Sequence, residues 1–204
     1  MIQYLQENKL LHPSHHGFRA KHNTASALIE MYDAWAEAFE DDKLSAVVML
    51  DLSAAFDVVD HAILLNKLKI YGYDERSVAW LSSYLTGRSQ KVYVDGTLSD
   101  PLEVRTGVPQ GSVLRPLLYI VFTNDLPESI HDHPPSNNNF YKIDCEDCGH
   151  ICCFADDSTL TLSHHDPVVL ENDIAENYQS VSDFMANNIL LLLKPIYSYQ
   201  SRKQ

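Results

Sequence analysis

Cys152-Cys153-Phe154-Ala155-Asp156-Asp157-Ser158-Thr159-Leu160 sets two adjacent carboxylates between two short runs of apolar and β-branched residues. The pattern predicts a β-hairpin whose tight turn carries Asp156 and Asp157. One Asp in a turn says little, because Asp suits turns for backbone reasons. Two anions side by side on a buried hairpin are different, since they repel unless a cation sits between them. Ala46-Val47-Val48-Met49-Leu50-Asp51-Leu52 is a continuous apolar run, as in a fully buried strand, interrupted by one carboxylate at Asp51. With that strand beside the hairpin, three carboxylates converge. Such a cluster suits two Mg²⁺ ions about 4 Å apart, the arrangement that drives in-line phosphoryl transfer.

The chain has 204 residues, 45% of them hydrophobic, enough for one good core and too few for a comfortable second domain. No apolar run reaches membrane-spanning length, and no secretory signal is visible, so an intracellular, non-secreted protein that spans no membrane is expected. The four cysteines crowd between Cys145 and Cys153, which is no disulfide framework. A net charge of −13 argues against a general nucleic-acid binder. The distribution softens that objection: residues 121–193 hold 13 of the 28 acids against one base, Lys142. The remaining residues are close to neutral.

Along the chain, Thr24 is a plausible cap for a helix to about Glu40, with Leu28, Tyr32, Trp35 and Phe39 as its buried face. Asp60 and Asp74 cap two further helices that end near Gly72 and Gly87. Asp95-Gly96 marks a hairpin turn. Thr106-Gly107-Val108-Pro109-Gln110-Gly111-Ser112 is a Gly/Pro loop that lets backbone approach a substrate, and it feeds an apolar helix to about Asp125. Residues 127–147 read as a loop or insertion, Asp166-Pro167 starts a long helix, Ile189–Leu193 reads as a last strand, and 194–204 as a frayed tail. Helices alternating with short strands and hairpins give an α+β fold, an antiparallel sheet with helices on one face.

Leu50-Asp51-Leu52-Ser53-Ala54-Ala55-Phe56-Asp57, Gly107-Val108-Pro109-Gln110-Gly111-Ser112 and Phe154-Ala155-Asp156-Asp157 follow one another in this order, with His16-Gly17-Phe18-Arg19 ahead of them. Together they resemble the successive motifs of the reverse transcriptase domain of non-LTR (LINE-type) retrotransposons, over roughly residues 10 to 193. The resemblance implies a right-hand polymerase palm (46–193) behind partial fingers (1–45), with no thumb. It implies an RNA-directed DNA polymerase acting on an RNA template, a DNA primer and a deoxynucleoside triphosphate. Asp51, Asp156 and Asp157 become the catalytic carboxylates and, with the Leu52 carbonyl, the ligands of Mg²⁺, for which Mn²⁺ can substitute. Phe56, Gln110 and Gly111 become the nucleotide-binding residues, Phe56 as a steric gate that excludes a 2′-hydroxyl.

Two departures stand out. Arg115 occupies a position where the family usually has Gly, and the late Asn-Lys pattern is not recoverable around Leu193–Ile196. With the charge of −13, they keep a second reading open: a catalytically inactive palm-fold remnant or interaction module. Cys145, Cys148, His150 and Cys152 form a weak zinc candidate. Their spacing is shorter than a two-knuckle site, so free thiols are the expected state. No HExxH spacing and no nucleophile elbow point to a hydrolase.

Overall fold

The computed structural model describes residues 1–130, 149–192 and 196–200. In chain order the elements are α1 (Ile2–Glu7), α2 (Thr24–Glu40), β1 (Leu44–Leu50), α3 (His61–Ile70), α4 (Glu75–Leu85), β2 (Arg88–Gln90), β3 (Tyr93–Val94) and β4 (Thr97–Leu98). Then follow β5 (Leu102–Val104), α5 (Arg115–Thr123), a single 3₁₀ turn at Pro127–Ser129, β6 (His150–Phe154), β7 (Asp157–His164), α6 (Pro167–Asn187) and β8 (Ile196–Gln200). The result is an α+β fold of the palm type.

Four strands form one antiparallel sheet in the order β6-β7-β1-β8. Side chains alternate across a strand, so each strand offers one set of residues to each face. Ala46, Val48 and Leu50 pair with Leu162, Leu160 and Ser158. The apolar members of that set join Ile151 and Cys153 in the main core, which also holds Leu64, Leu68, Leu118, Phe122, Val181 and Met185 from α3, α5 and α6. The helix starts are chemically specified. The Asp60 carboxylate accepts from the Ile63 N–H at 2.9 Å, and Asp166 accepts from Val168 at 2.8 Å with Pro167 in the first turn.

The second sheet face is covered by α2, and here the structure differs from the periodicity. Leu28, Tyr32 and Phe39 are 60, 66 and 52% exposed, while Ala27 and Ala38 are buried. Trp35 alone of the four large residues turns inward, its indole N–H donating to Thr161 Oγ1 at 3.1 Å. Small alanines let the helix lie close on a face that offers polar Thr161 and His150 as well as Val47. A pattern counted on large side chains ignores alanine and therefore selects the wrong side. The helix cap also moves by one residue: Asn23 and Ser26 form a reciprocal capping box, so Thr24 is the first helical residue.

The C-terminal end is the other correction. Ile189 has φ +57, and among the described residues of 189–193 only Leu192 makes an isolated bridge, to Leu52, while Leu193 lies outside the described residues. The edge strand is β8, drawn from residues expected to fray, which pairs with β1 from Ser45↔Gln200 to Met49↔Ile196.

Candidate active site

The β1–β7 register builds the site. Leu50 pairs with Ser158, so Asp51 and Asp157 are the next positions on neighbouring strands. Asp156 stands beside them in the hairpin turn. That turn comprises Ala155 and Asp156, and Asp157 opens β7 opposite Phe154 rather than lying in the turn itself. Ala155 has φ +58, a conformation that costs an L-residue roughly 1–2 kcal/mol. Burial, followed by the charges of Asp156 and Asp51, raises the Asp157 carboxyl above the usual range. The three acids therefore share one electrostatic neighbourhood. Among the described residues, no three His, Cys, Asp or Glu side chains are spaced to grip a metal ion. All three carboxylates and a backbone carbonyl are hard oxygen donors, the chemistry that Mg²⁺ takes. Leu52 itself is buried, and its backbone bridges to Leu192.

A tight turn follows β1 from Ser53 onward. Ala54 has φ +50, and the Asp57 N–H donates to its carbonyl at 2.7 Å. This places Phe56 against Tyr119 of α5, ring centroids 4.3 Å apart, with Phe18 edge-on at 6.5 Å. The glycine loop docks onto the same turn. Gly107 N–H donates to Val59 O at 2.8 Å and Val108 N–H to Phe56 O at 2.9 Å. A side chain at Gly107 would meet the Asp57 carbonyl oxygen at 2.6 Å, so the close approach requires glycine. Gln110 and Gly111 lie beyond this anchor, exposed.

The N-terminal motif joins the hairpin from the outside. Cys153 N–H donates to Ser14 O, and His16 N–H to Cys153 O, both at 2.8 Å. A Cβ on Gly17 would stand 2.4 Å from the Ala155 nitrogen, so the segment lies directly on the turn. Arg19 ties this loop down by donating to the carbonyls of His12 and His15. Glu30 of α2 then links both parts: its carboxylate lies 2.6 Å from His16 Nε2 and 2.8 Å from His150 Nε2. Burial pushes Glu30 up, but its histidine partners outweigh that and hold it below the usual carboxylate range.

Of the zinc candidates, Cys145 and Cys148 lie outside the described residues. His150 is engaged by Glu30, and Cys152 faces α2, where its thiol points at the Ala27 carbonyl. Cys152 and Cys153 are free, and burial pushes both thiols up to about 12. Asp144, Glu146 and Asp147 also fall outside the described residues, whereas Asp125 pairs with buried Lys67 at 2.6 Å.

Sequence reasoning misses Tyr119 and Glu30. Tyr119 is 1% exposed, its hydroxyl has no hydrogen-bond partner among the described residues, and burial together with Asp156 raises its pKa. Within an apolar helix it reads as core, and nothing in the spacing separates it from its neighbours. Arg115 is visible as a departure, but its direction is not. It turns back over Phe56, 4.8 Å from the ring centroid.

A profile of the reverse transcriptase (RNA-dependent DNA polymerase) family matches residues 1–193. The probable RNA-directed DNA polymerase from transposon BS of Drosophila melanogaster is 39% identical over 123 residues, covering 60% of this chain and 14% of the relative. The RNA-directed DNA polymerase from mobile element jockey of the same species is 36% identical over 144 residues, covering 71% of this chain and 15% of the relative. The probable RNA-directed DNA polymerase from transposon X-element, also of Drosophila melanogaster, is 29% identical and covers 96% of this chain but 22% of the relative. This chain thus spans less than a quarter of the length of each of these relatives. Among solved structures, telomerase from Candida albicans in complex with a TWJ fragment of telomeric RNA matches with a TM-score of 0.67 at 12% identity, over 97% of this chain and 34% of that one. Telomerase from Candida tropicalis gives 0.66 at 10% identity, covering 97% of this chain and 32% of that one. At such identities the likeness speaks for the fold, while the profile and the relatives identify the lineage: the chain belongs to the reverse transcriptase family.

Proposed function

We propose that this chain is the palm-centred core of an RNA-directed DNA polymerase, retrotransposon-derived, which joins a primer 3′-hydroxyl to the α-phosphorus of a deoxynucleoside triphosphate. One observation carries the reading: the β1–β7 register that sets Asp51 beside Asp157, with Asp156 in the adjoining turn. Asp51, Asp156, Asp157 and the Leu52 carbonyl would hold Mg²⁺, with Mn²⁺ as a substitute. Divalent cations held there would supply acidification of the attacking hydroxyl and neutralisation of the pyrophosphate charge. The protein's own share is positioning. Phe56 lies under the sugar and leaves no room for a 2′-oxygen, while Gln110 and the exposed backbone at Gly111 flank the base and template. RNA template and DNA primer run across this face. Among the described residues no helix is long and apolar enough to cross a membrane. The free Cys152 and Cys153 fit a reducing, intracellular setting.

The net charge of −13 favours one competing reading, a palm that has kept its fold without grip on nucleic acid. Primer extension on an RNA template separates the two. The proposed reading expects Mg²⁺-dependent extension by the wild type that Asp51→Ala and Asp156→Ala each abolish. Extension that survives either substitution, or no extension and unaltered metal titrations in both variants, rejects it.

A further inference from the structure

We infer that Arg115 is a positioning residue that sets sugar specificity by locking the Phe56 ring; the inference rests on the polymerase reading of Phe56. Phe56 is held on three sides. Tyr119 lies against it at 4.3 Å and 36°, Phe18 meets it edge-on at 76°, and the Arg115 guanidinium lies over it at 4.8 Å. A cation at the first residue of α5 opposes the helix dipole, so its placement needs compensation. Asp57 supplies part of it, accepting from Nη2 at 3.2 Å. The aromatic face supplies the rest. The side chain is only 18% exposed, and Nη1 is buried with no hydrogen-bond partner among the described residues. Solvent therefore does not hold this guanidinium; the ring and Asp57 do.

The consequence is mechanical. A ring excludes a 2′-hydroxyl only if it cannot swing aside when a ribonucleotide pushes on it. The Phe56 backbone is fixed by the turn from Ala54 and by its carbonyl accepting from Val108. Its side chain is fixed by the tilted ring contact with Tyr119 and by the cation above. Swinging the ring away forfeits the cation–π contact, and that loss adds to the discrimination.

The test is calorimetric titration of the full chain with dATP and with ATP, in Mg²⁺ and without primer, for wild type, Arg115→Leu, Arg115→Lys and Phe56→Leu. The wild type should bind dATP more tightly. Arg115→Leu should shrink the dATP/ATP ratio roughly threefold to thirtyfold, the span of a cation–π contact, through tighter ATP binding rather than weaker dATP binding. Arg115→Lys should restore most of the ratio, and Arg115→Leu should add nothing to Phe56→Leu. Should Arg115→Leu fail to melt cooperatively, Arg115→Gln, planar and uncharged, is read in its place. An unmoved ratio overturns the inference alone, as does a wild type that binds both nucleotides equally. Binding of neither nucleotide by the wild type rejects the polymerase reading and takes the inference with it.

Discussion

The two faces of the central sheet follow different rules. On the face toward α3, α5 and α6, Ala46, Val48, Leu50, Ile151, Cys153, Leu160 and Leu162 are all at most 3% exposed. On the face toward α2, buried Val47 and Cys152 share the surface with Ser45, His150 and Thr161, and Met49 is 44% exposed. Asp51 and Asp157 continue the second set by strand alternation. Burial energy is concentrated on the first face, and the polar contacts and acids on the second. A face with few large apolar contacts has room for groups that repel one another, provided the opposite face holds the strands in register.

Substitution at the acids should give the largest effect, and it should leave the fold intact. On the proposed reading, Asp51→Ala should abolish RNA-templated primer extension, a loss on the order of a thousandfold or more, since it removes one of the carboxylates proposed to hold the cations. Its melting temperature should stay level or rise, because one of three neighbouring anions is gone. An Asp51→Ala protein that melts well below the wild type would break the division between the faces.

The converse substitution lies one strand away. Leu160 is fully buried opposite Val48. Leu160→Ala should cost about 2–5 kcal/mol by denaturant titration, from lost transfer energy and the remaining cavity. At a temperature where the variant is still folded, its metal titration should match the wild type. Loss of metal binding in folded Leu160→Ala would show that the two faces are coupled.

The same contrast explains what can be read from the amino acids. From Ala46 to Leu50, β1 is apolar at every position and shows no alternation, yet that run and the hairpin around Asp156 are enough to identify a buried strand beside a turn. Asp60, Asp74 and Asp166 are legible as caps because the carboxylate that stops the preceding chain also satisfies the first helical N–H groups. The α2 face is not legible, since Ala27 and Ala38 carry little hydrophobic signal and three of the four large residues face outward. Neither is β8, whose alternating Tyr197-Ser198-Tyr199 needs β1 as a partner to become a strand. At the site, the motif acids and Phe56 are visible, while the clamp on Phe56 is not. Contacts between residues 56 and 115 depend on how the glycine loop docks, which spacing does not encode.

Acid should weaken the packing beside the first face through His15, which bridges Cys153 and reaches the end of α5. Burial, with smaller contributions from nearby His12, pushes the His15 imidazole down to about 4. Its Nε2 sits 3.1 Å from the Thr123 carbonyl, so the neutral ring donates there. Between about pH 6.5 and 4 the unfolded chain takes up a proton that the folded chain refuses, so stability falls as pH falls through that window. The drop attributable to this ring is about 3 kcal/mol. Thermal melts across that range should show it, and His15→Gln should flatten the slope. A slope unchanged in His15→Gln would assign the acid sensitivity to other groups.

The smallest effect belongs to the outside of α2, and it is the most direct check on how that helix is oriented. Tyr32 is 66% exposed, so Tyr32→Ser should shift stability by no more than about 0.5 kcal/mol. Ala27 is 4% exposed, and its carbonyl faces the Cys152 thiol. Ala27→Leu therefore drives a larger side chain into a close helix–sheet contact and should cost about 1–3 kcal/mol. The large-residue periodicity makes the opposite forecast, a costly Tyr32→Ser and a harmless Ala27→Leu. Denaturant titrations of the two variants decide between the orientations, because each substitution is severe on one side of the helix and negligible on the other. If Tyr32→Ser proves the more damaging, α2 lies on the sheet through its aromatic side, and Glu30 no longer faces both His16 and His150.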